Sequence, residues 1–237
     1  MTIEARGERA LLGAFLREGD EDALVALMRR VAPPLYRAAR ALTAWRVLGA
    51  QTAVERAWRV ALLRAGDVDD DRGLWRVLWE ELVRCAAAMG DSPRSRGAEA
   101  APERAAAMRA VALLALPVRT VYALHDVGGA ELPLVAAALQ LPEPRVRAEL
   151  WHARLAVETL CGTGTGGSAP EAPGEHGAVA PVWQEPVPDE LLERMTSAAR
   201  RRRAALVANP AHLRRVLPAF TTLVLVAGGA SAAALWR

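Results

Sequence analysis

The sequence contains no lysine, so all 30 of its basic residues are arginine. Arginine binds phosphate through two donors at once, but Ala and Gly are abundant here as well, and we favour biased genome composition as the cause. Cysteine is also scarce. Cys85 and Cys161 lie far apart and match neither a CxxC motif nor a metal-site spacing, so we predict two free thiols in a reducing compartment.

The motifs of enzymes and metal proteins are missing too. The four histidines have no Cys or acidic residue at ligand spacing, and no nucleophile can be paired with a base. The glycine-rich run at 162–167, GTGTGG, follows no predicted strand and precedes no lysine, unlike a phosphate-binding loop. The first 15 residues have no uninterrupted apolar core, so no secretion signal is expected. We predict no enzymatic activity, no cofactor and no metal.

The residues that are abundant favour helices. Hydrophobic residues make up 52% of the chain but aromatic residues only 5%, because the surplus is mostly Ala, Leu and Val. Apolar residues from Ala23 to Leu42 recur at helical spacing, with Asp20 or Asp22 available as the N-cap. Pro33 and Pro34 are expected to interrupt or kink that helix. The predicted fold class is all-α.

Charge divides the chain unevenly. Residues 1–161 hold 22 Arg against 21 acidic residues, and residues 162–190 hold five acidic residues and no Arg. Residues 191–237 hold eight Arg against one acidic residue. The basic surplus therefore belongs to the C-terminal tail, and a pI near 9.5 is no evidence for nucleic-acid binding by the rest.

Composition and periodicity divide the chain into two helical units and a tail. The stretch at 91–103 is rich in Ser, Pro, Gly and charge, and the stretch at 162–190 is rich in Gly, Pro and acid with no periodicity. The predicted organisation is a helical domain at 1–90, a linker at 91–103, a second helical domain at 104–161, a disordered tether at 162–190, a basic juxtamembrane helix at 191–215 and a transmembrane helix at 216–236.

The transmembrane prediction rests on 21 consecutive uncharged residues, Val216 to Trp236. At about 1.5 Å per residue this length just crosses a hydrocarbon core of about 30 Å. Arginines before the segment would stay inside, which predicts a single-pass C-terminal anchor on the cytoplasmic face of the inner membrane. The alternative is a buried C-terminal helix of a soluble protein. The predicted membrane-contacting residues are Arg200, Arg201, Arg202, Arg203, Arg214, Arg215 and Trp236.

Residues 135–155, VAAALQLPEPRVRAELWHARL, have the pattern of a helix-turn-helix. Such a motif needs a small residue where the helices cross, a tight turn, and an apolar residue that fixes the second helix. Ala136 suits the crossing and Val146 the second helix, with Leu139 and Leu141 in the core. An ordinary helical hairpin explains the local pattern equally well.

The longer stretch Leu113 to Leu160 resembles the C-terminal DNA-binding domain of extracytoplasmic-function sigma factors. That domain reads as a Leu-Pro start, then "L.D..G", an "IA..L.I" helix and "V...L.RAR..L". The resemblance implies promoter DNA contacts by Arg145, Arg147, Arg154 and His152. The matching positions, without a gap, are Leu116, Pro117, Leu124, Asp126, Val135, Ala136, Leu139, Leu141, Val146, Leu150, Ala153 and Arg154.

The N-terminal unit is similar to the domain of the same family that binds core RNA polymerase. AQTAVERAWRVALL takes the place of the helix that usually reads AEDLVQETFLRLW, and LWRVLWEELVRCAA takes that of the helix contacting melted promoter DNA. The resemblance spans roughly residues 10–160. It implies polymerase contacts by Thr52, Glu55, Arg56 and Arg59, and contacts near the melted strand by Trp75, Arg76, Trp79 and Arg84.

Some residues depart from the family pattern. Thr52 and Glu55 replace an acidic residue and Gln, "LVRC" replaces "IARN", and Glu149 stands at a commonly basic position. An acid at a DNA interface opposes the counterion release that drives binding. Two functions therefore stay open. One is a membrane-tethered, sigma-factor-like regulator that binds core RNA polymerase and promoter DNA; the other is a membrane-anchored interaction module whose degenerate sigma fold binds a sigma or anti-sigma factor.

Overall fold

The computed structural model describes residues 3–89, 102–161 and 183–209, and these ranges are helical without a strand. This confirms the predicted all-α class. Nine α-helices, one short 3₁₀ turn and one π turn form the described part of the chain.

Four helices form what we call the N-terminal bundle. Side-chain caps begin two of them: the Asp20 carboxylate accepts the Ala23 N–H at 3.0 Å, and that of Asp70 accepts the Gly73 N–H at 2.7 Å. Their apolar faces meet in one core that includes the fully buried Phe15 and Tyr36. After a 3₁₀ turn at Ile3–Ala5, the helices are α1 (Glu8–Glu18), α2 (Glu21–Leu42), α3 (Val47–Leu63) and α4 (Asp71–Ala88).

Helix α2 continues through its two prolines. The predicted interruption at Pro33 and Pro34 is wrong, because the helix runs unbroken from Glu21 to Leu42. A proline inside a helix loses a backbone hydrogen bond and crowds the preceding turn. Val31 and Leu35, on either side of the pair, are fully buried. We attribute the continuity to this packing, which holds both halves of the helix against the core.

The second group, which we call the C-terminal unit, also consists of short helices. Pro117 lies in the first turn of its second helix and Pro133 in the first turn of its third, where a missing N–H costs little. The elements are α5 (Pro102–Leu113), α6 (Leu116–Tyr122), the π turn (Ala123–Val127), α7 (Leu132–Leu139) and α8 (Glu143–Cys161).

The bundle and the C-terminal unit pack directly against each other. Helix α4 contacts α7, and α2 contacts α5, α6 and the π turn. Two side chains of the bundle donate to backbone carbonyls of the unit: Trp45 Nε1 to Met108 at 2.8 Å, and Arg37 Nε to Val127 at 3.2 Å. Buried residues of both groups form one continuous hydrophobic cluster.

The chain returns at Trp183 and packs on both groups. We call residues 183–208 the C-terminal arm; it contains α9 (Asp189–Ala208). The tether was predicted to extend to residue 190, but Trp183 is buried and Val187 packs against the core. The helix predicted near the membrane instead lies on α1, α2 and α3.

The predicted transmembrane helix at 216–236 lies outside the described residues, as do Arg214, Arg215 and Trp236. Of the helices within the three described ranges, none is both long and apolar enough to cross a bilayer.

Candidate nucleic-acid and protein interfaces

Helices α7 and α8 form the helix-turn-helix. Val135 on α7 and Val146 on α8 are fully buried, and Ala136 is nearly so. Gln140 ends α7 in the left-handed region, with φ 55° and ψ 38°, which is unusual for a residue with a side chain. The next residue, Leu141, donates its N–H to the Ala136 carbonyl at 3.0 Å. This turn sets the angle between the two helices.

The π turn fixes α8 from the other side. Asp126 in this turn accepts two hydrogen bonds from Arg154, at 2.8 Å from Nε and 2.6 Å from Nη2. These hydrogen bonds raise the pKa of Arg154, and partial burial opposes the shift. Arg154 was predicted to contact DNA. In the structure its Nε and Nη2 groups both donate to the Asp126 carboxylate, and this pair holds α8 against the π turn.

The outer face of α8 is open to solvent at its N-terminal half. Arg145 is exposed and forms no ion pair with any described residue. Arg147 is exposed but binds Glu143 one turn earlier, at 2.7 Å. His152 is exposed and lies edge-on to Trp151, with ring centroids 5.2 Å apart. Three of the four residues predicted to contact promoter DNA are therefore exposed on α8.

The same helix carries exposed apolar side chains. Trp151 is 46% exposed and Leu155, one turn later, is 48% exposed. Adjacent large apolar residues on a helix surface are more typical of a protein interface than of a face that contacts phosphates. Trp151 was not predicted as an interface residue, because its exposure depends on which face of α8 packs on the core, here the face of Val146, Leu150 and Ala153.

Helix α4 presents its aromatic residues to the C-terminal unit. Trp79 is only 1% exposed and stacks on Trp75, with ring centroids 5.3 Å apart. Both rings line a pocket of about 340 Å³ between α4 and the start of α7. The Trp79 Nε1 atom has no hydrogen-bond partner among the described residues. In this arrangement Trp79 is closed to an unstacked base, whereas Trp75 is partly accessible.

A buried carboxylate holds two of the predicted contact residues. Glu81 on α4 is 2% exposed and binds both Arg56 on α3, at 2.9 Å, and Arg84 on α4. Two guanidinium groups offset the cost of burying one carboxylate. Arg76 remains exposed, 3.8 Å from Glu80. Glu81 was not singled out from the sequence, since a Glu in an amphipathic helix is usually solvated.

The predicted polymerase-binding residues line α3 unevenly. Thr52 is exposed, and its hydroxyl donates to the Leu48 carbonyl at 2.8 Å. Glu55 binds Arg59 within α3 and also Arg194 of α9, at 3.3 Å. Arg59 is exposed on the same side. Part of this face is therefore already in contact with the chain's own C-terminal arm.

Helix α9 lies along α3 over most of its length. The Trp58 indole donates to the Met195 carbonyl at 2.8 Å, and both side chains are fully buried. At the other end Arg202 Nε donates to the Leu62 carbonyl at 3.2 Å, occupying one of the acceptors that a helix C-terminus leaves free. The buried residues of α9 are Leu191, Met195, Ala198, Ala199 and Leu206.

The arginines predicted to face lipid differ in their surroundings. Arg200 binds Glu21 at 2.8 Å, and this hydrogen bond lowers the pKa of the Glu21 carboxyl. Arg203 lies over Gly19, whose positive φ of 78° and missing Cβ leave room for it. Together with Arg202 on α3, these side chains contact the bundle. Arg201 is exposed and makes no ion pair with a described residue.

The arm also joins the two helical groups. Trp183 stacks on Trp45 at 5.3 Å and meets Tyr122 edge-on at 6.3 Å. Glu185 binds the buried Arg40 at 3.2 Å. Trp45 belongs to the bundle and Tyr122 to the C-terminal unit, so one aromatic side chain of the arm contacts both.

Within the described ranges, no group of three or more His, Cys, Asp or Glu residues is arranged to hold a metal ion. Comparison with models of known protein families, with curated proteins and with solved structures finds no match to this chain.

Proposed function

We propose that this protein is a sigma-factor-like regulator of transcription initiation that binds core RNA polymerase and promoter DNA. The observation that carries the proposal is the pair of helices α7 and α8 joined by a tight turn, in which α8 is held by the Asp126–Arg154 pair and leaves Arg145, Arg147 and His152 exposed to solvent. The N-terminal part of a recognition helix is the part that usually enters the major groove.

The proposed division of work follows the two helical groups. The C-terminal unit would contact the upstream promoter element through α8. The N-terminal bundle would dock on core polymerase through the outer face of α3. A melted strand would meet Trp75 and Arg76 on the accessible side of α4, whereas contact with the buried Trp79 would require α4 to separate from the elements packed on it.

The test is a salt titration of DNA binding by the full-length chain. Each phosphate contact should contribute about 0.9 to the slope of log K against log salt. We expect Arg145→Ala to lower the magnitude of that slope by about 0.9, the contribution of one phosphate contact. Arg29→Ala removes an equal charge from an exposed site on α2 and serves as the matched control. Absence of binding at low salt would overturn the DNA assignment, and run-off transcription with core polymerase tests the initiation activity.

We also propose that the chain is held at the cytoplasmic face of the inner membrane by residues 216–236. The support is the uncharged length of that segment and the arginines before it. Membrane fractionation after a high-salt wash tests this, because a spanning helix resists salt whereas an electrostatic contact does not. Recovery in the soluble fraction would favour a freely soluble protein.

A second candidate is a membrane-anchored interaction module that binds a sigma or anti-sigma factor instead of DNA. Exposed Trp151 and Leu155 on α8 favour it, and the same helix also carries the acidic Glu143 and Glu149. In that case Trp151→Ser should weaken capture of such a partner at least tenfold, whereas Arg145→Ala should have little effect. If instead Arg145→Ala weakens DNA binding and Trp151→Ser has little effect on it, the first candidate is favoured.

A further inference from the structure

Helix α9 covers one side of the surface of α3 that is proposed to dock on polymerase, the side that carries Glu55. Arg194 reaches Glu55 at 3.3 Å and Gln51 at 3.0 Å, and Met195 covers Trp58 one turn further along. Glu55 belongs to the proposed docking set, and Trp58 lies on the same side of α3, three residues later. A protein that docks on this side of α3 would meet α9 first.

We propose that the C-terminal arm is an intramolecular cover for the docking face of α3, which must leave α3 before core polymerase binds. This inference rests on the proposed function. Helix α9 and polymerase then compete for the same residues, and the fraction of chains with α9 undocked determines the apparent affinity.

The contacts of α9 are suited to release. Two of its five buried side chains are alanines, which bury little apolar area each. Its ion pairs with the bundle, Arg194 with Glu55 and Arg200 with Glu21, lie at the edge, and solvent screens both because all four side chains are partly exposed. The helix is therefore held at its margins by bonds that salt or a competing charged surface can weaken.

The face beneath α9 is suited to a partner. Removal of α9 would expose Trp58 and Leu62, which are buried in the closed chain. A tryptophan at the centre of an apolar patch with charged residues around it is the usual composition of a protein-binding site. Glu55, Arg56 and Arg59 supply the charged margin here. The covered face thus combines an apolar centre with a polar edge.

The test compares full-length variants in detergent micelles. Arg194→Glu places a second carboxylate beside Glu55 and should release α9, and Met195→Asp places a charge against Trp58. Arg201→Glu makes the same charge change at an exposed position of α9 and is the matched control. Hydrogen exchange of residues 51–62 measures release, and titration with purified core RNA polymerase measures binding.

We expect faster exchange in α3 and at least tenfold tighter polymerase binding for Arg194→Glu and Met195→Asp, with both quantities within twofold of wild type for Arg201→Glu. If Met195→Asp loses helical content, the milder Arg194→Glu decides. Equal affinity of wild type and released variants for core polymerase would overturn the proposal that α9 covers the docking face, and would leave the proposed function intact. Amides of α3 that stay protected in both variants would have the same meaning. Absence of polymerase binding in every variant, with α3 open, would overturn the proposed function and this inference together.

Discussion

The two hydrogen bonds between Arg154 and Asp126 connect the recognition helix to the turn that precedes the helix-turn-helix. Both groups are partly buried, so neither is fully compensated by water when its partner is removed. Arg154 therefore links α8 to the π turn through its side chain. The resemblance supplied the residue but not this role, because Asp126 lies 28 positions earlier in the sequence.

We expect Arg154→Gln to lower the free energy of unfolding by about 1–2 kcal/mol, after allowing for solvent screening of a partly exposed pair. Asp126→Asn should cost a similar amount, and the double variant should cost less than the sum of the two. Urea unfolding followed by circular dichroism measures all four proteins. Additive losses would mean that the two side chains do not interact.

Gln140 adopts the left-handed backbone conformation, which is strained for a residue with a Cβ atom but not for glycine. We expect Gln140→Gly to raise stability by up to about 1 kcal/mol, since the relief of strain exceeds the extra entropy of the unfolded chain. Ala137→Gly, at an exposed position inside α7, should instead lower stability by about 0.5–1 kcal/mol. A melting experiment on both variants checks the difference in sign.

Burial raises the pKa of the Cys85 thiol, and the nearby guanidinium groups of Arg56 and Arg84 oppose this shift. Since only the thiolate reacts, Cys85 should react with a disulfide reagent more slowly at pH 8 than the more accessible Cys161. The raised pKa also has a consequence for stability. Above the pKa of the unfolded thiol, the unfolded chain ionises at Cys85 while the folded chain keeps the proton. The free energy of unfolding is therefore unaffected by this group at neutral pH and falls as the pH rises through the pKa of the unfolded thiol towards the raised pKa of the folded one. The variant Cys85→Ser should lose the slower phase of the reaction with the reagent. Equal reaction rates at Cys85 and Cys161 would contradict the raised pKa of Cys85.

At the scale of elements, the C-terminal arm depends on Trp183, which is 4% exposed between Trp45 and Tyr122. We expect Trp183→Ala to lower the free energy of unfolding by about 3 kcal/mol, because it leaves a cavity between three elements. Trp183→Phe should retain part of that stability. Trp151→Ala, at an exposed position, should change stability by less than about 0.5 kcal/mol. Denaturant unfolding of the three variants gives the comparison, and equal losses at 183 and 151 would mean that Trp183 is not docked in solution.

The helices themselves could be predicted from the sequence, but their assembly could not. Apolar spacing and a candidate cap predicted α2, and small and apolar residues around a tight turn predicted the pair α7 and α8. Helix α9 was predicted as a helix but assigned to lipid, because its run of arginines outweighed the spacing of Leu191, Met195, Ala198 and Ala199. A run of arginines in the sequence does not predict which carboxylates or backbone carbonyls those side chains contact in the fold. Glu21, Glu55 and the Leu62 carbonyl are brought to α9 only by the fold.

At the scale of the whole molecule, each of the three parts, the bundle, the C-terminal unit and the arm, packs against the other two. Helix α4 packs on α7, α2 packs on the π turn, and α9 packs on α3. We expect the bundle and the C-terminal unit to unfold in one cooperative transition, because neither can open without exposing buried residues of the other. Differential scanning calorimetry of the full-length chain measures this. Two separate transitions would mean that the two helical groups fold independently.

The π turn also determines how the chain tolerates a change in length. Here the Gly128 N–H reaches back five residues to the Ala123 carbonyl, at 2.9 Å, so the turn holds one residue more than an α-helix would. Deleting a single residue from this turn would restore ordinary helical winding and rotate whatever follows by about 100°. The carboxylate of residue 126 would then point away from α8. A deletion that shortens the chain by one residue, far from any proposed contact with a promoter, would thus misdirect the helix that is proposed to read it.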